Sequence, residues 1–315
     1  MSVREVGGVK FGVQVLQAMP DYPTLKKVAL ECERLGFDSL WVYDHLQFAY
    51  GPTFESWTIL SALAEATHKI RIGTLVTCNA FRYPSLLAKM AATVDTISSG
   101  RLNFGIGAGW HEAEAAAYGI PFPKGGVRVE MVDEALTIMK KLWTEDRVTF
   151  KGKYYSISDA VSLPKPVQKP YPPVLVGGGG DKMLRVIARH ANAWDCGFES
   201  LKGVKKEISR LEAACAEVGR NRAEIENTFQ SRLIISEVEE DALKRAEEWR
   251  EERRGKSEDP DWRFAVKGSP QTCAKTLKGY VDTGVTHFTL LIADVTSLKP
   301  LRLFADTVIP EFRTS

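Results

Sequence analysis

Val174-Leu175-Val176-Gly177-Gly178-Gly179-Gly180-Asp181, running straight into Lys182 to His190, decides how this chain folds. Three apolar residues read as a buried strand, the stretch from Lys182 reads as a helix, and the four glycines form the turn between them. With no Cβ along that turn, backbone N–H groups and the start of the helix can close on a phosphate. Read as plain structure, the same glycines are a flexible turn with Asp181 as the helix cap.

The same strand-then-helix unit recurs on both sides. Upstream, Phe11 to Val15 precedes a stripe of Leu25, Val28, Ala29, Cys32 and Leu35, and Ser39 to Val42 precedes a helix around Ser56 to Ala66. Ile70 to Val76 then precedes Leu86 to Ile97, and Leu102 to Ile106 precedes Met131, Ala135, Ile138, Met139 and Leu142 at helical spacing. Downstream, Ala193 to Cys196 leads to Val204, Ile208, Leu211, Cys215 and Val218; Thr228 to Ile235 leads to a further helix; and Phe288 to Ile292 is the eighth strand.

Eight such units in 315 residues predict an α/β fold, a (β/α)8 TIM barrel, in preference to an open doubly wound sheet. No Pro/Gly/Ser-rich linker divides the chain, so residues 1–315 are expected to form one domain. Short insertions are expected after strands four and seven. The first is a hairpin around Lys151-Gly152-Lys153. The second holds the charged stretch from Glu239 to Arg254, whose thin stripe of Ala242, Leu243, Ala246 and Trp249 reads as a solvated helix. In such a barrel, chemistry belongs at the strand carboxyl ends: Tyr43 to His45, Val76 to Asn79, Gly107 to Glu112, Gly177 to Gly180, and Cys196 to Glu199.

Composition removes several alternatives. Forty-two basic against forty acidic residues leave a formal charge of +2, too balanced for a nucleic-acid surface. No apolar run suggests a membrane span or a signal peptide, so a cytoplasmic protein is expected. The five cysteines (Cys32, Cys78, Cys196, Cys215, Cys273) are scattered with no Cys-x-x-Cys pair and read as reduced thiols, mostly core. Gly105-Ile106-Gly107-Ala108-Gly109 is not a dinucleotide fingerprint, because Trp110 stands where the last glycine belongs. Its small residues suit the close approach of a flat ring. His111-Glu112-Ala113-Glu114 is not a zinc helix, because Ala115 stands where the second histidine belongs, and no metal site is expected. His68, His190 and His287 have no ligand-spaced partners. Neither a Gly-x-Ser-x-Gly elbow nor a Walker loop occurs. His45, closing the second strand beside Asp44, can exchange a proton near neutral pH.

Taken in order, four segments resemble the bacterial-luciferase-like superfamily, and more closely its deazaflavin (coenzyme F420)-dependent oxidoreductase branch. They are Gly36 to His45, Arg71 to Thr74 through Phe81 to Pro84, Ser99 to Leu102 through Gly107 to Glu112, and Pro173 to Asp181 with Ala193-Trp194. The resemblance implies a flavin-like ring at the strand carboxyl ends, its phosphate held by Gly177, Gly178, Gly179 and Gly180. It also implies a cis peptide between Leu75 and Val76 behind the ring, with Cys78, Ala108, Gly109 and His111 facing the cofactor. Asp44 matches a residue near the deazaflavin, and His45 matches the one that handles the proton. Two positions depart from the pattern. The sugar-phosphate dehydrogenases of the superfamily carry glutamate about where Trp110 lies, and many relatives have asparagine where this chain has His111.

The function so implied is hydride transfer between coenzyme F420 and a small organic substrate entering over Tyr43, His45, Trp110 and His111. The alternatives are an FMN-dependent monooxygenase on the same barrel and a cofactor-binding protein without catalysis. Arg82, Lys124, Arg128, Lys182 and Arg185 are candidate partners for a deazaflavin's oligoglutamate tail. By the same resemblance the protein is expected to be a homodimer.

Overall fold

The structure is a computed structural model that describes residues 8–15, 19, 21–47, 52–197, 199–252 and 264–313. β1 (Lys10–Gln14) is followed by α1 (Tyr22–Arg34), β2 (Ser39–Val42) by α2 (Ser56–Ala66), and β3 (Arg71–Thr74), with the short β4 (Thr77–Cys78), by α3 (Pro84–Ile97). β5 (Leu102–Gly107) precedes a short α4 (Glu112–Ala117) and a long α5 (Gly125–Thr144), and the hairpin β6 (Val148–Lys151) and β7 (Ser156–Ala160) follows. β8 (Val174–Gly177) leads to α6 (Asp181–His190), and β9 (Ala193–Asp195) to α7 (Leu201–Glu217). After β10 (Glu226–Ile235) come α8 (Glu239–Glu252), β11 (Val266–Gly268) and α9 (Pro270–Val281); β12 (His287–Ile292), α10 (Lys299–Thr307) and α11 (Pro310–Arg313) end the chain.

β1, β2, β3, β5, β8, β9, β10 and β12 pair in parallel, and the β12–β1 and β9–β10 ladders close the sheet into the expected (β/α)8 barrel. Both expected insertions are present. β6 and β7 form the hairpin after the fourth barrel strand, while β11 pairs with the far end of β10 after the seventh. The charged helix α8 buries Ala242, Ala246 and Trp249 as its stripe predicts, but Leu243 is exposed. The strand read from Ile70 to Val76 stops at Thr74, where the Leu75–Val76 peptide is cis as the resemblance implied, and resumes as β4. All five cysteines are free; Cys32, Cys78, Cys215 and Cys273 are buried.

Alternation along each strand sorts the residues. Phe288, Leu290 and Ile292 join the core between sheet and helices, while His287, Thr289 and Leu291 lie outside that cluster. The barrel interior is filled by Trp41, packed with Leu75 and Leu175. Gly12 and Gly73 make room for it, since a Cβ on either would come within 2.7 Å of the indole. The indole N–H donates to Ser39 Oγ at 2.8 Å, and that hydroxyl lies 2.8 Å from His287 Nε2.

His287 is buried, and loss of solvation pushes its pKa down to about 4 although Glu226 lies 3.9 Å away. The unfolded chain protonates this ring near pH 6.5 and the folded one only near 4. Its stabilising contribution is therefore complete above the higher value and is lost as pH falls through the window. That loss is about 3 kcal/mol. Urea unfolding at pH 7 and pH 4.5 should show a pH-dependent loss in the unaltered protein that is smaller by most of this amount in His287→Gln.

Candidate functional site

One cavity of about 970 Å³ opens at the carboxyl ends of the barrel strands, large for a small-molecule site. The filled barrel interior forms its floor. The residues expected to meet the ring, its phosphate and the substrate all line it: Tyr43, Asp44 and His45 beyond β2; Leu75, Val76 and Cys78 around β4; Ala108, Gly109, Trp110 and His111 beyond β5; and Gly177, Gly178, Gly179 and Gly180 beyond β8.

The glycine arm is a close-approach surface. Gly178 has φ +125°, and a Cβ there would meet Met183 at 3.0 Å, while Gly180 has nothing within 4 Å. Helix α6 opens from Gly180 without a side-chain cap, and α5 opens from Lys124 likewise, so two helix starts face this cavity through Gly125, Gly126 and Asp181. Uncapped N–H groups and the positive dipole ends make that sector attractive to an anion. Asp181 is not the cap: it is the first helical residue, and its carboxylate pairs outward with Arg210 at 2.6 Å.

Opposite chemistry gathers at His45. Its Nδ1 lies 2.8 Å from Glu114 Oε2, while Glu114 Oε1 accepts the Leu46 N–H at 2.5 Å and the Gln47 N–H at 3.0 Å. Burial pushes the Glu114 carboxyl up, but His45 and the two backbone donors outweigh it and hold it below the usual range. His111 Nδ1 is 3.5 Å from the same Oε2, and the Trp110 ring meets both imidazoles, edge-to-face with His45 (centroids 5.6 Å apart) and tilted to His111 (4.9 Å). Trp110 itself is half exposed at the rim. Tyr43 O–H donates to Gln14 Oε1 at 2.5 Å, and Gln230 donates to the same oxygen at 2.8 Å.

Asp44 faces the cavity with its carboxylate fully engaged. Arg82 holds both oxygens at 2.7 and 2.9 Å, Ser56 donates at 2.5 Å, and the Cys78 N–H at 2.8 Å. Arg82 also pairs with Glu55, so it is a wall residue and not a partner for a distant tail. Of the other cations considered, Arg185 pairs with Glu217 away from the cavity, whereas Arg128 and Lys182 line it. Burial pushes the Cys78 thiol up to about 12, and its sulfur packs where a Cβ on Gly109 would sit, 2.5 Å away. It is packing, not a nucleophile.

Sequence reading missed Glu114, Gln14, Gln230, Arg232 and Asp195, all buried or half-buried. Glu114 stands three residues after His111 on α4, the spacing of one helix face. Thr228, Gln230 and Arg232 alternate with Phe229, Ser231 and Leu233 along β10, a readable sign of an inward polar face. Asp195, at the end of β9, is pushed up to about 6 by burial.

Fold and site together define a closed barrel built around one deep opening with an anion-binding arm and an imidazole–carboxylate pair. The chain belongs to the luciferase-like monooxygenase family, whose profile matches residues 8–287. It is 29% identical to the F420-dependent glucose-6-phosphate dehydrogenase of Kineococcus radiotolerans over 92% of this chain and 93% of that one. It is also 29% identical to the FMNH2-dependent dimethylsulfone monooxygenase of Pseudomonas putida, over 69% of this chain and 59% of that one. The coenzyme F420-dependent tetrahydromethanopterin reductase of Methanopyrus kandleri superposes with a TM-score of 0.82 at 24% identity, covering 97% of this chain and 100% of that one. Among the described residues, no helix is long and apolar enough to cross a membrane.

Proposed function

We propose that this protein is an oxidoreductase that moves a hydride between coenzyme F420 and a small organic substrate, with His45 exchanging the proton. The observation that carries this reading is the presence, in one cavity, of a glycine arm flanked by two uncapped helix starts and of the His45–Glu114 pair. The cradle suits a phosphate-bearing ring cofactor: Gly107 and Gly177 keep clear the space beside Val76, where a Cβ would come within 2.8 and 3.2 Å of its methyls. F420 is favoured over FMN by relatives: the F420-dependent dehydrogenase aligns along nearly the whole chain, the FMNH2-dependent enzyme along a shorter part.

Bound deazaflavin supplies the carbon that gives or takes the hydride. The chain's own residues do the rest. The N–H groups of Gly177 to Lys182 and of Gly125 and Gly126 would hold the phosphate, and Lys182 and Arg128 lie beside them for further anionic groups. Leu75, Val76, Cys78 and Ala108 form the wall against which a ring can lie. Glu114 fixes the His45 ring, accepting from Nδ1–H and leaving Nε2 to exchange a proton with the substrate oxygen. Trp110 and Tyr43 flank that imidazole and exclude water around it.

Titration of the apoprotein with F420 and with FMN, followed by fluorescence, tests the assignment. F420 should bind at least tenfold more tightly than FMN, and Gly178→Val should weaken it at least tenfold. Binding of FMN alone would overturn the cofactor; tight F420 binding with no turnover of any alcohol, aldehyde or imine would favour a carrier.

A further inference from the structure

The linear test for a zinc helix fails at Ala115, yet the fold brings a second imidazole to His111 and Glu114 from another element. One ring nitrogen each of His45 and His111 and a carboxylate oxygen of Glu114 all lie within 4.8 Å of one another. We propose that His45, His111 and Glu114 form a binding site for a divalent transition metal of the zinc type.

Two imidazoles and one carboxylate are a donor set that zinc and cobalt accept, leaving a further position for water. With bonds of about 2.0 to 2.1 Å, tetrahedral ligand atoms stand about 3.3 Å apart. Here Glu114 Oε2 is 2.8 Å from His45 Nδ1 and 3.5 Å from His111 Nδ1, so the spacings bracket that value before any metal enters. The carboxylate is already oriented, because Oε1 is occupied by the Leu46 and Gln47 N–H groups while Oε2 faces both rings. All three side chains line the cavity, so the open coordination position faces the space where substrate would sit. The site depends on His111.

The metal needs a bare Nδ1, so the single proton of the neutral ring passes through solvent from Nδ1 to Nε2 as the metal binds, and His45 can then no longer accept one from a substrate. This consequence, unlike the site itself, rests on the role proposed for His45. The metal acts here as an inhibitor held on the catalytic rim, reversible by chelation.

Equilibrium dialysis of the chelator-treated full chain against Zn2+, and visible absorption with Co2+, test the site without cofactor or substrate. The unaltered protein should take up one equivalent of Zn2+ at micromolar concentration and give Co2+ ligand-field bands. His111→Asn, which keeps the fold's hydrogen-bonding capacity at a partly exposed position, should weaken uptake at least 100-fold, and Glu114→Gln should do the same. Zn2+ uptake unchanged in His111→Asn, or none in the unaltered protein, would overturn the proposal. Because neither readout involves F420, that failure would leave the hydride-transfer reading standing, and failure to bind F420 would leave the metal site standing.

Discussion

Hydride transfer in His45→Ala is expected to run roughly 10²- to 10⁴-fold slower than in the unaltered protein at saturating cofactor, with F420 affinity changed little. The reason is division of labour within one cavity. The glycines proposed to hold the phosphate lie at the end of β8 and in the turn to α6, whereas His45 follows β2 and is held by α4, so removing the imidazole leaves the anion arm intact. Its loss removes the group proposed to carry the proton that must move with the hydride. Glu114→Gln should lie between the two, since an amide can still accept from Nδ1–H but supplies no charge to an imidazolium. Stopped-flow absorbance of the deazaflavin at a fixed pH measures both. Equal rates in His45→Ala and the unaltered protein would remove His45 from the mechanism.

Arg82→Ala should cost about 3 to 5 kcal/mol of folding stability, the cost of leaving a buried charge without its partner. The Asp44 side chain is entirely buried and Arg82 nearly so, and the guanidinium engages both carboxylate oxygens in the forked geometry that lysine cannot reproduce. Ser56 and the Cys78 N–H remain as donors after the change, but neither neutralises the charge. The double variant Arg82→Met with Asp44→Asn should recover most of the loss, because it removes both charges together. Urea unfolding of the single and double variants gives the coupling directly. A loss under 1 kcal/mol in Arg82→Ala would show that water reaches the pair. The change should also loosen the wall at Cys78 that backs the ring site.

The barrel was readable because its strands alternate or run apolar over three to ten residues and are followed by helical stripes. α4 was not, since Glu112–Ala117 is a single short turn of charged and small residues with no apolar stripe. Glu114 was hidden for a related reason. Its partner His45 is 69 positions away, and only closure of the barrel brings the ends of β2 and β5 side by side. Asp44 could be placed at the rim from its strand position, but its partner could not: Arg82 sits among basic residues that all look alike in a linear chain. Chemistry at single strand ends was therefore legible, and chemistry shared between strands was not.

Among the described residues, Trp41 stoppers the cylinder beneath the cavity, so in the proposed reaction cofactor and substrate share the opening at the strand carboxyl ends. Whichever lies deeper must arrive first and depart last. With the apolar backing wall at the bottom and the histidines at the lip, we expect the pigment to be the resident and the reactant the visitor, an order of traffic imposed by one indole.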